Sequence, residues 1–81
     1  MAIKVYALST CPYCRMTRAY LDENDVQYEV VEVDLLDGDE REAAIEEVRT
    51  LSGGASFPVV VIDDEVIVGF NKKGIKERLG L

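Results

Sequence analysis

The chain has 81 residues, 48% of them hydrophobic, a net charge of −7, and both of its cysteines in one tetrapeptide, Cys11-Pro12-Tyr13-Cys14. A single domain over residues 1–81 buries roughly 60–65% of its extended-chain surface, enough to fold without disulfide staples or a structural metal, so the thiols are free for chemistry. The acidic balance excludes a phosphate-binding surface for nucleic acid, no apolar run approaches the roughly 18 residues of a membrane span, and no leader-like pattern opens the chain. A soluble cytoplasmic monomer is expected, because one closely spaced cysteine pair in a charged chain fits a reducing compartment.

Residues 3–8, Ile-Lys-Val-Tyr-Ala-Leu, predict a first strand. Pro12 suits an opening helical turn, where its missing N–H is no loss, and the spacing of Cys14, Thr17 and Leu21 predicts a helix over 12–24 with those residues inward. Tyr28, Val30, Val31, Val33 and Leu35 form a β-branched second strand, ended by Asp37-Gly38-Asp39, whose last member is placed to cap the next helix. That helix spans about 39–52, with Ala44, Ile45, Val48 and Leu51 inward, and stops at Gly53-Gly54. Residues 59–62 and 66–68 flank Asp63-Asp64-Glu65 closely enough only for an antiparallel hairpin. Asn71 caps a short last helix that carries Ile75 and Leu79 on its inner side.

The resulting order is β-α-β-α-β-β-α. A right-handed β-α-β unit followed by a hairpin builds an α/β domain with a mixed four-stranded sheet flanked by three helices. That is the core of the thioredoxin fold, and a C-x-x-C at its first strand-to-helix turn reads as a redox pair.

Cys11 lies where unpaired N–H groups and the helix dipole favour an anion, so its thiolate is expected to be stabilised. Cys14, one turn further on, is placed to attack a mixed disulfide formed at Cys11. Tyr13, between the two thiols, either fills the turn or shapes a groove wall. Ser56-Phe57-Pro58 enters the third strand, where a proline cannot donate a ladder bond. In the thioredoxin fold, which this element order resembles, that position is a cis-proline facing the dithiol, so the resemblance implies a cis Phe57-Pro58 bond. Gly69 and Phe70 end the fourth strand, with Phe70 placed slightly in favour of the core. Lys72 and Lys73 are expected on the same rim as Arg15, and less surely Arg18, as a basic edge that favours carboxylate-bearing partners.

With Cys11-Pro12-Tyr13-Cys14 after a strand, Ser56-Phe57-Pro58 before another, and Gly69 ahead of the last helix, the chain resembles the glutaredoxins over nearly its whole length. The resemblance implies a thiol-disulfide oxidoreductase that uses no tightly bound cofactor and takes glutathione as co-substrate. Cys11 would be the nucleophile and Cys14 the resolving thiol, with Pro12, Tyr13, Ser56, Phe57, Pro58, Gly69 and Phe70 lining the substrate groove. Leu8 and Ser9 stand where the family usually carries a lysine, and Gly69-Phe70 with Asn71-Lys72 where it carries Gly-Gly and an aspartate. The segments 57–60 and 68–70 are instead similar to the NrdH-type redoxins. That similarity implies recycling by thioredoxin reductase and, among disulfide-containing proteins, ribonucleotide reductase as client. A third reading, from C-x-x-C chemistry alone, is a copper, zinc or iron–sulfur module. Two thiolates and no histidine leave a four-ligand site incomplete in one chain, so no metal-binding residue is assigned.

Overall fold

The computed structural model describes residues 2–54 and 57–81. The described elements are β1 (Ile3–Ala7), α1 (Pro12–Glu23), β2 (Glu29–Glu32), a 3-10 turn (Val33–Leu35), α2 (Gly38–Ser52), β3 (Val59–Ile62), β4 (Glu65–Val68) and α3 (Lys72–Leu79). The strands form one mixed sheet in the order β2-β1-β3-β4, with β1 parallel to β2 and β3 antiparallel to both β1 and β4. The expected fold is therefore present.

Alternation along β1 divides the interior into two cores. Ile3, Val5 and Ala7 join Cys14, Leu21, Val60, Ile67 and Ile75 on the side of α1 and α3. Tyr6 turns the other way, toward Val33, Ala44, Val48 and Val59 beneath α2. A central strand covered on both faces can be apolar on both, which explains why Val5, Tyr6 and Ala7 are all buried in succession. Each fully buried valine or leucine contributes about 1.5–3 kcal/mol. The inward spacing of α1 puts Cys14 itself at the edge of this packed layer, with no exposed surface.

Four expectations are corrected. The first strand stops at Ala7, since Ala7 opposite Glu32 is the last parallel pair and the Leu8 carbonyl instead accepts from the Cys11 N–H at 3.2 Å. The second strand stops at Glu32, and Val33–Leu35 tighten into the 3-10 turn, with Val33 buried under α2 and the Asp34 carboxylate bonded to Ser9. Asp37, not Asp39, occupies the cap position of α2 and makes no side-chain cap bond; Asp39 and Glu40 fill the first turn, where the helix dipole favours acids. Leu51 is 37% exposed and lines an open depression with Lys4 and Tyr6 of β1 instead of packing into the core.

The other stops and caps follow the local chemistry. Gly53 ends α2 with φ of 76°, a left-handed conformation that glycine adopts without a Cβ clash. Asn71 caps α3 by accepting from the Gly74 N–H at 3.0 Å. A Cβ on Gly74 would lie 2.8 Å from the Asn71 amide nitrogen, so the glycine that weakens the helix interior is also what leaves room for its cap. No helix among the described residues is long and apolar enough to cross a membrane.

Candidate active site

The dithiol sits at the β1-to-α1 junction. Cys11 is the helix N-cap, with extended backbone (φ −85°, ψ 119°), and Pro12 follows as the first helical residue. Because the N-cap is not yet helical, its side chain folds back over the first turn. Cys11 Sγ accepts from the Cys14 N–H at 3.4 Å, where a serine or aspartate oxygen would sit in an ordinary cap. Both thiols are free, Cys11 half-buried and Cys14 buried.

This arrangement separates the two acidities. Burial opposes the Cys11 thiolate, but the Cys14 thiol and the N–H groups of Cys14 and Tyr13 outweigh it and bring Cys11 below the ordinary thiol value. Cys14 is pushed up to about 11, first by burial, then by its hydrogen bond to Cys11 and by the charges of Cys11 and Asp34. One thiol is therefore the anion and the other its hydrogen-bond donor.

The acidity of Cys14 has a consequence for stability. An unfolded thiol ionises at about 8.5 whereas folded Cys14 holds its proton to about 11, so the folded state binds the proton through that window. The stabilisation is fully present below the unfolded thiol value and is lost as pH rises through about 11. Tyr6 and Tyr28, also raised by burial, titrate in the same direction. Urea unfolding of the reduced protein, with Cys11→Ser compared against Cys11→Ser/Cys14→Ala so that the first thiol does not titrate, tests this: the advantage of keeping Cys14 is expected to shrink as pH rises toward 11, and parallel curves would contradict the assignment.

Phe57-Pro58 is cis, as the resemblance implies. The Pro58 side chain is fully buried, and its carbonyl accepts from the Gly69 N–H at 2.7 Å, tying the entry of β3 to the end of β4. Phe57 packs against both cores and, with Cys11, borders the cluster that contains Cys14. The Cys-Pro-Tyr-Cys turn and the Phe57-Pro58 segment are thereby joined through one layer of side chains. Ser56 lies outside the described residues. Tyr13 is 61% exposed, so its ring is presented to solvent rather than packed inward. Phe70 is half-buried and, among the described residues, joins neither core cluster, contrary to the reading that favoured the core.

The basic rim is only partly assembled. The Arg15 guanidinium donates to the Ser9 carbonyl at 3.5 Å, beside the dithiol. Arg18 instead pairs with Glu32 of β2 at 2.8 Å and leaves the rim. Lys72 reaches α1, with its ammonium 5.3 Å from the centre of the Tyr20 ring. Lys73 is exposed.

Sequence reading missed a cavity of about 250 Å³ beneath the Leu8 and Phe57 side chains. Val33, Ile45 and Val48 complete its apolar lining, while Asp34, Arg41 and Arg49 add the charged groups. Positions 41, 45, 48 and 49 follow helical spacing, so the signal was present as a face of α2 carrying two arginines within an acidic stretch.

Comparison with known proteins agrees with this geometry. The glutaredoxin family model matches residues 3–67. An uncharacterised glutaredoxin-like 8.6 kDa protein of the rubredoxin operon in Clostridium pasteurianum is 42% identical over 77 residues, covering 95% of this chain and 96% of that protein. The crystal structure of a glutaredoxin from Archaeoglobus fulgidus superposes with a TM-score of 0.92 at 42% identity, covering 98% of this chain and 87% of the other. NrdH-redoxin of Escherichia coli, described as a glutaredoxin-like protein with a thioredoxin-like activity profile, superposes at 0.80 with 26% identity over 95% of this chain and 93% of its own. With a matching family model, sheet order and dithiol turn, the chain belongs to the glutaredoxin family.

Proposed function

We propose that this protein is a dithiol electron carrier that reduces protein disulfides and glutathione mixed disulfides. The observation that supports this best is the unequal pair: an N-cap thiol of lowered pKa held against a buried thiol of raised pKa. The Cys11 thiolate attacks a substrate disulfide, forming a mixed disulfide and expelling one substrate thiolate. Once Cys11 is no longer an anion, its hydrogen bond and its charge no longer add to the burial that holds the Cys14 proton. Cys14 then loses its proton and attacks Cys11 Sγ, closing the internal disulfide and releasing the second substrate thiolate. Two electrons pass from the dithiol to the substrate; the Cys14 proton goes to one departing thiolate and water supplies the proton for the other.

Glutathione is the proposed electron donor. The cavity beside Phe57 has an apolar floor, two arginines and the Asp34 carboxylate, which is held by Ser9, so its net positive charge suits a small thiol that ends in a carboxylate. Those arginines supply the positive charge that is absent at Leu8 and Ser9. The double variant Arg41→Ala/Arg49→Ala is expected to raise KM for a glutathione mixed disulfide about tenfold while leaving reduction of an uncharged disulfide unchanged.

A second reading follows from the likeness to NrdH-redoxin and from the exposed Tyr13 and Met16 beside the dithiol. Apolar rings and thioethers there fit a protein partner, so thioredoxin reductase would be the donor and ribonucleotide reductase a client. NADPH consumption with a disulfide substrate separates the two. Turnover that requires glutathione and glutathione reductase supports the first reading; turnover with thioredoxin reductase alone replaces it with the second.

A further inference from the structure

The loop that presents Cys11 is secured from outside its own segment. Ser9 donates its N–H to Asp34 Oδ1 at 2.9 Å and its hydroxyl to Asp34 Oδ2 at 2.5 Å. Its carbonyl accepts from Arg15 at 3.5 Å. The Leu8 carbonyl then accepts from the Cys11 N–H at 3.2 Å, closing the turn over Ser9 and Thr10. All three polar groups of the residue two positions ahead of the nucleophile are thus engaged.

The other half of the clasp depends on the irregular end of β2. Val31 and Val33 both face α2, while Val30 and Glu32 face the side of α1, where Glu32 meets Arg18. An extended residue at position 34 would continue that alternation and point toward α1. The 3-10 turn breaks it and directs the Asp34 carboxylate to Ser9. The departure from the expected strand is what makes the contact possible.

We propose that Asp34 is a positioning residue for the dithiol: its two-point hold on Ser9 fixes the turn that presents Cys11 to a substrate disulfide. The inference rests on Cys11 being the attacking thiol. Asp34 touches neither the substrate nor the reacting sulfurs and acts through Ser9.

The electrostatics around Asp34 are consistent with that role. The two bonds from Ser9, assisted by the Arg41 charge, hold its carboxyl below the ordinary carboxylate range, so the clasp stays ionised at neutral pH. Arg41 and Arg49 face it from α2 across the cavity, and Arg15 lies on the far side of Ser9. Cys14 on α1 feels its charge as a force against ionisation. The same carboxylate therefore sets the loop and helps keep the second thiol protonated.

Three variants distinguish hold from charge. Ser9→Ala removes one bond and keeps the charge; Asp34→Ala removes both; Asp34→Asn removes the charge but retains an acceptor for the Ser9 N–H. The readout is the rate constant for reduced protein with a small uncharged aromatic disulfide, followed against pH to a plateau where Cys11 is fully ionised. Ser9→Ala and Asp34→Ala are expected to lower the plateau about fivefold to tenfold, a loss of the size that small misplacements of a reacting group produce. Ser9→Thr, which keeps the hydroxyl and the N–H, restores it. Asp34→Asn is expected to stay within about twofold at the plateau while moving the Cys14 limb of the profile to lower pH.

Wild-type plateaus in folded Ser9→Ala and Asp34→Ala would overturn the proposal. If Asp34→Ala does not fold, Ser9→Ala with Ser9→Thr decides it. A parallel Cys11→Ser sample keeps the two readings apart. If that sample still reacts, the assignment of the nucleophile fails; if it is inert while the clasp variants match wild type, only the role of Asp34 fails.

Discussion

Cys11→Ser is expected to abolish disulfide reduction while leaving the fold intact or slightly firmer. The chemistry requires a thiolate, and a serine hydroxyl at this position stays protonated at any pH the protein survives. A fall of at least about 10³-fold in turnover is expected, corresponding to about 4 kcal/mol of lost transition-state stabilisation. Stability moves the other way because Cys11 is also the N-cap of α1, where its sulfur accepts from the Cys14 N–H at 3.4 Å. Serine is a preferred cap, with an oxygen that makes a shorter and stronger bond to the same group. Thermal unfolding of the reduced proteins, measured beside the assay, checks both halves. An unfolded variant would make the activity loss uninformative, and an active one would remove Cys11 from the mechanism.

Cys14→Ser is expected to divide the activity rather than abolish it. Without a second thiol, the mixed disulfide at Cys11 cannot be resolved from within, so reduction of a protein disulfide falls by about 10²-fold or more. Reduction of a glutathione mixed disulfide persists, since free glutathione can release the adduct. The variant should accumulate as a covalent Cys11 conjugate visible by mass spectrometry. The substitution also buries a hydroxyl where Cys14 has no exposed surface, at a cost of about 1–3 kcal/mol unless it bonds to Cys11. The protein must therefore be assayed well below its unfolding temperature. Full retention of both activities would mean that the buried thiol is structural, and loss of both would mean that glutathione does not resolve the adduct.

Two of the failures of sequence reading share a physical cause. Arg18 looks like a rim cation because it lies one turn beyond Arg15, yet Glu32, which is 14 positions away, takes it across the β1–β2 side of the sheet. Leu51 continues the helical stripe of Ala44 and Val48 but stays partly exposed at an open depression beside Lys4 and Tyr6. Asp34 continues the alternation of a strand that stops before it. For Arg18 and Asp34 a partner distant in sequence decides the outcome.

The element order, the antiparallel hairpin, the caps at Asn71 and Gly53, and the adjacency of the two thiols at a helix start were all legible in the sequence, while the cis bond before Pro58 was legible only through the resemblance to the thioredoxin fold. These features depend on interactions within a few residues: side-chain periodicity, backbone preferences and hydrogen bonds that close one turn. Only the tertiary structure decided how the Cys11 loop is held, which cations remain beside the dithiol, and how Leu8, Phe57 and the arginines of α2 come to line one cavity. Those depend on strand order and on where β2 leaves the sheet. The Ser9–Asp34 clasp joins residues 25 positions apart, and no local pattern carries a contact that only the packed crossover creates.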